Sequence, residues 1–184
     1  MAQLIVNDQP RNQLIVNDVI KVLLAGAKCL ILTERVEHCE TILNMVRENV
    51  KGIHATIATG RMTKNSRQKL IKRIRQDQFQ LLIATGKLIG EGFDWPELTY
   101  LFLAFPFSWK GKLVQYIGRV QRSTEGKTEA YVYDYLDYAV PMLKVMYFRR
   151  LRTYRSLKNL VKYKMPTKVS TKASQVADNQ MSLF

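Results

Sequence analysis

The sequence is short of the features that mark secreted and membrane proteins. It has two cysteines in 184 residues and no apolar run near the ~20 residues of a transmembrane helix. Its first residues are not a basic segment followed by an apolar stretch. These absences argue against a disulfide scaffold, a signal peptide and a membrane partner. With 47% hydrophobic and 24% charged residues, the composition is that of a soluble domain, and we expect a cytoplasmic protein.

Sequence elements that hold a nucleotide or a metal are missing too. No G-x-x-x-x-G-K-[ST] phosphate loop occurs, because Gly86-Lys87, Gly111-Lys112 and Gly126-Lys127 all lack the earlier glycine, and the first two also lack the following hydroxyl residue. No Asp-Glu pair follows an apolar run. Cysteine and histidine stand at no metal-ligand spacing, so we predict no metal site. We therefore expect nothing in this chain to hold the phosphates and Mg²⁺ of a nucleotide.

Acidic residues are scarce, particularly toward the C-terminus. The formal net charge is +14, and residues 141–184 hold ten Lys/Arg but a single acid, Asp178. Such a basic chain favours nucleic acid or another acidic surface as its partner. The alternative is a soluble domain that is basic for no specific reason.

Short apolar runs alternate with amphipathic helical segments along the chain. This alternation predicts an α/β fold in three layers, with a mostly parallel sheet and helices on both of its faces. A long basic helix is predicted over residues 141–163, completing a domain over residues 1–163, and residues 164–184 are predicted to form a flexible tail. The predicted strands are residues 29–32, 53–57, 79–84, 98–103 and 130–134.

Threonines follow three of the predicted strands. Thr33, Thr59 and Thr85 lie in these turns, and Gly60 and Gly86 follow the last two. The carboxyl ends of parallel strands meet at one edge of a sheet, where ligands bind. A hydroxyl and unpaired backbone N–H groups suit a phosphate, so the three turns together favour contacts along one nucleic-acid backbone. The alternative is that each threonine caps the helix that follows it.

Residues 115–122 read as one amphipathic helix with Ile117 and Val120 facing inward. Arg119 and Arg122 are three apart, so both guanidinium groups leave the same face and can clamp a polyphosphate. Gln115 lies one turn earlier and can hydrogen-bond the same ligand. The alternative is a solvated basic helix face.

A glycine-rich turn precedes this helix and ends in a carboxylate. In Gly90-x-Gly92-x-Asp94, the aspartate can accept hydrogen bonds from a ribose or position the nearby arginines. The alternative is an ordinary turn aspartate.

These motifs together resemble a known family. The pattern Q-x-x-G-R-x-x-R of residues 115–122 resembles motif VI of superfamily 2 helicases. Residues 81–86 and 90–96 look like motif V, and residues 29–40 are similar to motif IV. The resemblance covers residues 13–163 and implies the C-terminal RecA-like domain of a DEAD/DEAH-type helicase, nearest to a group of large bacterial, phage and mobile-element helicases. Gln115 stands where DEAD-box proteins have His, so the choice of DNA or RNA stays open.

The resemblance implies roles for individual residues in a longer protein whose N-terminal, ATP-binding RecA-like domain is absent from this chain. Arg119 and Arg122 would be arginine fingers against ATP, which that domain holds with Mg²⁺, and no cofactor is expected to bind this chain tightly. Gln115, Gly92 and Asp94 would serve the nucleotide site. The residues implied to hold DNA or RNA, without regard to base sequence, are Thr33, Arg35, Thr59, Gly60, Arg61, Thr85 and Gly86.

Two other functions fit the same sequence. The first is a stand-alone nucleic-acid-binding module, in which the basic C-terminal region and the arginine pair contact phosphates directly. The second is a protein-interaction domain whose long C-terminal helix docks on another protein, which an exposed stripe of Tyr, Met and Leu would favour. Charge reversal within residues 149–162 should destroy nucleic-acid binding by the first of these and spare arginine-finger chemistry.

Overall fold

The computed structural model of the chain describes residues 2–86, 93–121 and 130–157, together with the backbone of three short strands nearer the C-terminus. The helices in these ranges are α1 Ala2–Val6, α2 Gln9–Leu24, α3 Val36–Asn49, α4 Lys64–Arg75, α5 Lys110–Val120 and α6 Pro141–Ser156. The strands are β1 Cys29–Thr33, β2 Ala55–Ala58, β3 Leu81–Thr85, β4 Tyr100–Leu103, β5 Ala130–Asp134, β6 Leu136–Asp137, β7 Val161–Tyr163, β8 Val176–Ala177 and β9 Gln180–Leu183.

Seven of the strands form one sheet in the order β2-β3-β1-β4-β5-β9-β7, while β6 pairs with β8. The first five are parallel, and β9 runs antiparallel to both β5 and β7. The predicted, mostly parallel sheet is therefore confirmed. Its register sets Thr33 beside Thr85 and Ala58 beside Ala84, so β1, β2 and β3 end together at the carboxyl edge.

Two apolar cores lie on opposite faces of the sheet, because successive strand residues point to opposite sides. Leu30 and Leu32 of β1 belong to the core that includes residues of α4, α5 and α6. Cys29 and Ile31 belong to the core that includes residues of α2 and α3. Both β1 and β3 are buried along their whole length, which explains their unbroken apolar sequences. The predicted helices on both faces are confirmed.

The first turn of α2 joins the N-terminal region to the sheet. The Asp8 side chain caps α2 by accepting from the Arg11 N–H at 3.1 Å, and Gly26 follows the helix at φ +82°, where glycine is favoured. The buried Arg11 side chain donates to Asp137 at 2.8 Å and to the Ala104 carbonyl at 2.6 Å. One arginine therefore joins α2 to β6 and to the end of β4.

A buried ion pair anchors α6 to the sheet. The Arg150 guanidinium donates to both carboxylate oxygens of Asp134 at 2.7 Å, and the Tyr154 hydroxyl donates to one of them at 3.1 Å. Arg150 also donates to the Phe107 carbonyl at 2.5 Å. Helical periodicity places Arg150 on the solvent side of α6, and this prediction is wrong. The Asp134 carboxylate is fully buried at the end of β5, and a buried charge needs a partner.

The apolar stripe of α6 faces the interior. Leu143, Tyr147 and Leu151 are at most 5% exposed, whereas Met142 and Val145 on the other side are exposed. The stripe that would favour a protein-interaction domain is thus used for packing within this chain.

The C-terminal part of the chain differs from the sequence-based expectation. Helix α6 ends at Ser156, and Val161–Tyr163 forms β7, so the prediction of one helix through residue 163 is wrong. The β-branched and aromatic residues of this segment suit an edge strand better than a helix. Within residues 164–184, which are predicted to be a flexible tail, β8 and β9 pair with β6 and β5.

Candidate functional site

A cleft of about 440 Å³ opens at the carboxyl edge of β1, β2 and β3. Parallel pairing brings together side chains that lie far apart in the sequence. Two exposed arginines and the buried hydroxyl of Thr85 face the same space. The residues in its lining that the sequence predicts to contact nucleic acid are Arg35, Thr59, Gly60, Arg61 and Thr85.

Hydrogen bonds join the turns around this cleft. The Gly60 N–H donates to the Thr85 hydroxyl oxygen at 3.1 Å, which ties the turn after β2 to the end of β3. The Gly86 N–H donates to the Thr33 carbonyl at 3.1 Å, which ties the end of β3 to β1. A hydroxyl that accepts one bond still has a hydrogen to donate, so Thr85 suits contact with a phosphate oxygen.

Thr33 behaves differently from the other predicted residues. Its side chain is 1% exposed, and its hydroxyl oxygen lies 2.8 Å from Nδ1 of His38. Asn12 donates its amide to the Val6 carbonyl, so its Oδ1 accepts from His38 Nε2 at 2.9 Å. Nδ1 is then the acceptor, and the Thr33 hydroxyl gives its hydrogen to it. Burial, helped by the charge of Arg11, lowers the pKa of His38 to about 4, so the ring is neutral near pH 7.

The helix-capping alternative is wrong for both Thr33 and Thr59. The residue at the N-cap of α3 is Arg35, which makes no side-chain capping bond. The N-cap of α4 is Thr63, whose hydroxyl accepts from the Ser66 N–H at 3.2 Å. The two threonines instead lie within a strand and in the cleft lining, respectively.

Three carboxylates that sequence reasoning overlooked also line the cleft. Glu37 and Glu40 are exposed and lie three residues apart on α3, which puts them on one face. Glu34 forms an ion pair with Lys112 of α5 at 2.9 Å. The three-residue spacing of Glu37 and Glu40 is the sequence signal that could have predicted their shared face. These carboxylates oppose the positive charge of Arg35 and Arg61 in the same lining.

The first turns of α5 lie against the ends of β1 and β3. The Tyr116 hydroxyl donates to the Gly86 carbonyl at 3.3 Å, one turn after the Lys112–Glu34 ion pair. A Cβ at Gly86 would lie 2.5 Å from the Tyr116 hydroxyl, so the close approach of α5 requires glycine there. Burial, with Glu34 nearby, raises the pKa of Tyr116 to about 12. Helix α5 is therefore positioned by contacts with Gly86, which follows β3, and with Glu34 of the cleft lining.

Further along α5, Arg119 donates a hydrogen bond from Nη1 to the Phe93 carbonyl. Arg119 and Asp94, the residue after Phe93, are half-buried, while Gln115 is exposed one turn earlier on α5. Arg119 thus contacts the segment that carries Asp94. The remaining predicted site residues, Arg122 and Gly92, lie outside the described residues.

Comparison with known proteins gives the family. The family described as "Helicase conserved C-terminal domain" matches residues 15–124 of the chain. The chain belongs to this family. This helicase C-terminal domain has the fold that the sequence resemblance implies.

A curated viral relative supports the same assignment. The protein named "Putative helicase 22" of Sulfolobus islandicus filamentous virus is 31% identical over 106 residues, which cover 58% of this chain and 18% of that protein. The helicase C-terminal domain therefore spans less than a fifth of this relative.

Solved structures share the fold. T4 UvsW superposes with a TM-score of 0.63 at 15% identity, over 84% of this chain and 34% of that chain. Domain 2 of the DEAD-box helicase Mss116p, solved bound to an RNA duplex, superposes with a TM-score of 0.51 at 23% identity, over 65% of this chain and 48% of that chain. The helicase C-terminal domain thus has the RecA-like fold that these structures share.

Two features are absent from residues 2–86, 93–121 and 130–157 and from the short C-terminal strands. No helix there has the length and apolar character needed to cross a membrane. No group of three or more His, Cys, Asp or Glu side chains in those ranges is placed to hold a metal ion.

Proposed function

We propose that this chain is the C-terminal half of an ATP-dependent nucleic-acid helicase or translocase. The observation that carries the proposal is the cleft at the carboxyl edge, where residues after β1, β2 and β3 meet beside the helix that bears Arg119. The cleft that would bind a nucleic-acid strand is thus in contact with α5, the helix whose Arg119 would bind the nucleotide. The motor needs a preceding ATP-binding domain, because this chain contains no phosphate loop.

The cleft is the proposed site for the DNA or RNA backbone. Arg35 and Arg61 supply charge and the Thr85 hydroxyl supplies a donor, which are groups that bind phosphate oxygens. Binding would therefore ignore base sequence. We revise the role of Thr33, whose hydroxyl is directed at His38, to positioning Gly86 through its carbonyl.

The nucleotide side centres on Arg119 of α5. We propose that Arg119 and Arg122 stabilise negative charge on the phosphates of ATP held with Mg²⁺ by the preceding domain. The Arg119 guanidinium is always charged and carries N–H donors, one of which bonds the Phe93 carbonyl. Gln115, exposed on the same helix, and Asp94, beside Phe93, would contact the nucleotide, together with Gly92.

The decisive experiment compares Arg119→Ala with wild type in the full-length protein. We expect ATP hydrolysis to fall roughly 10³-fold or more, as for other arginine fingers, while affinity for an oligonucleotide stays within about twofold. Arg122→Ala should behave in the same way. Arg152→Ala, on the exposed face of α6, is the matched control and should leave hydrolysis unchanged. Near-normal turnover by Arg119→Ala would refute the finger assignment.

A second measurement addresses the dependence on the preceding domain. We expect the purified 184-residue chain to hydrolyse no ATP, with or without nucleic acid, because its sequence has no phosphate loop to bind the phosphates and Mg²⁺ of ATP. Turnover stimulated by nucleic acid in a sample of this chain alone would contradict the proposed division of labour.

A stand-alone nucleic-acid-binding module is the second candidate, and the basic face of α6 favours it. Arg149, Arg152 and Arg155 are exposed there, whereas Arg150 is buried and unsuitable for a binding test. Reversing the charge of the three exposed arginines should abolish binding if this face is the main contact. Under the helicase proposal, the same triple variant keeps a strand in the cleft and keeps ATP turnover.

A further inference from the structure

Trp109 is a large aromatic residue left in solvent at the carboxyl edge of the sheet. Its relative exposure is 69%, against 1% for Trp95, the other tryptophan of the chain. A single exposed apolar residue is ordinary on a protein surface. Trp109 differs because of its position beside the cleft and because of the charges around it.

The position of Trp109 follows from the way in which α5 packs at the end of the sheet. Trp109 is the N-cap residue of α5, and its carbonyl accepts from the Leu113 N–H at 3.3 Å. Lys112, three residues later, forms the ion pair with Glu34, and Glu34 lines the cleft. At 1.5 Å of rise per residue, Trp109 lies about 4.5 Å along the helix axis from Lys112. The start of α5, with Trp109, therefore lies at the same edge as the turns that line the cleft, and Lys112 one helical turn later contacts Glu34 of that lining.

The charge around Trp109 matches an anionic partner. Lys110 is exposed next to it, whereas the charge of Lys112 is paired with Glu34. The first turn of α5 contains no acidic residue, and the backbone N–H groups there favour negative charge. An exposed indole beside a cation is a combination with which proteins bind unpaired strands, the ring stacking on a base while the cation attracts the phosphates.

We propose that Trp109 is a stacking platform for an unpaired base of the strand whose phosphates occupy the cleft. The inference rests on the proposed function, since it requires a strand at this edge. Stacking needs no hydrogen bonds to base edges, so the platform is tolerant of sequence. Stacking on Trp109 would add to the phosphate contacts in the cleft. A base-paired duplex cannot make this contact, so the chain would prefer single strands.

The two tryptophans make the test direct. Titrating the full chain with unlabelled oligothymidylate should quench the emission of Trp109, because its ring is exposed and would stack, while buried Trp95 keeps its emission. An oligonucleotide of the same length with abasic sites throughout carries the phosphates and no bases, and we expect it to leave the emission unchanged. Oligouridylate in place of oligothymidylate should quench as well.

Affinity measured independently, by the anisotropy of labelled oligonucleotides, completes the design. Trp109→Leu should weaken oligothymidylate binding roughly 5- to 150-fold, the range for loss of one stacked base, and should weaken abasic binding by less than about twofold. Trp109→Phe should recover most of the affinity. Leu24→Ala removes an equally exposed apolar side chain of α2 and is the matched control, with no expected change.

Several outcomes would overturn the stacking proposal while leaving the proposed function intact. One is tight oligothymidylate binding without quenching. Another is an equal loss of oligothymidylate and abasic binding in Trp109→Leu. A third is a loss of ATP turnover in the full-length Trp109→Leu variant with unchanged strand affinity, which would place the ring against the preceding domain. Failure of the full-length protein to bind any oligonucleotide would instead refute both proposals.

Discussion

At the carboxyl edge of the sheet, charged side chains are buried and paired in one half and mostly accessible to solvent in the other. Over β4 and β5, the carboxylates of Asp134 and Asp137 are buried and paired with Arg150 and Arg11. Over β2, β3 and β1, the charged residues of the cleft are exposed or half-buried, as Arg61 illustrates. We call the half over β4 and β5 the closed half and the half over β2, β3 and β1 the open half.

The difference shows how one fold separates support from binding. A buried, hydrogen-bonded ion pair fixes the elements that it joins, because breaking it leaves an uncompensated charge in the interior. Arg150 and Arg11 fix α6 and α2 in this way. Side chains of the open half remain hydrated and can exchange water for a ligand. We therefore expect substitutions in the closed half to affect folding, and those in the open half to affect binding.

The largest expected effect is that of Arg150→Ala. It leaves the buried Asp134 carboxylate without its ion-pair partner, and we expect a loss of about 3–5 kcal/mol in the free energy of unfolding, measured by urea denaturation. Arg149→Ala, at the neighbouring exposed position, should change that free energy by at most about 0.5 kcal/mol. Equal effects of the two substitutions would remove the distinction between a closed half and an exposed surface.

An intermediate effect is expected from His38, which lies between the two halves beneath Thr33. Its pKa is about 4 in the folded chain and 6.5 in the unfolded reference, so the unfolded chain takes up a proton first as the pH falls. Its contribution to stability is complete above pH 6.5 and is lost as the pH falls toward about 4. We expect this group to remove about 2 kcal/mol between about pH 7 and about pH 5.

Removal of the imidazole tests this prediction. His38→Gln should flatten the pH dependence of the unfolding free energy in that window, whatever its effect on stability at neutral pH. A slope that is the same in wild type and His38→Gln would show that His38 takes up its proton at the same pH in the folded and the unfolded chain.

The smallest effect on folding, and the sharpest on binding, is expected in the open half. Arg35→Ala and Arg61→Ala should each leave the unfolding free energy within about 0.5 kcal/mol of wild type, because both side chains are exposed. Each should weaken oligonucleotide binding to a similar extent for all sequences and reduce the salt slope of the binding constant by about 1. Arg152→Ala on α6 is the charge-matched control. A salt slope that changes only in this control would move the nucleic-acid site to α6.

The sequence predicted the framework of the fold well. Unbroken apolar runs gave β1 and β3, and the hydroxyl and glycine residues after them predicted the edge where the cleft is found. These features are local, since they depend on burial of a strand and on the turn that follows it. The family resemblance, carried by the motif around Arg119, was confirmed by the family match.

Polar groups buried by distant contacts were not predictable in the same way. The Thr33 hydroxyl is taken by His38, which Asn12 orients from another helix, and Arg150 is drawn inward by Asp134 on a strand. Periodicity assigns polar residues to solvent by default, and only the assembled fold reveals their partners. The roles of the predicted site residues stay predictions until the variants above are measured.

The two native thiols are buried in the apolar core between the sheet and α3. Cys29 and Cys39 are both fully buried, and burial raises the pKa of Cys39 to about 12 and that of Cys29 further still. Since thiolates are the reactive form, neither should couple to maleimide reagents in the native protein. A cysteine introduced at the exposed Asn65 of α4 can therefore carry a dye without prior removal of these two. Under the proposed function, a second dye on the proposed ATP-binding domain would then report the distance between the two domains during ATP turnover.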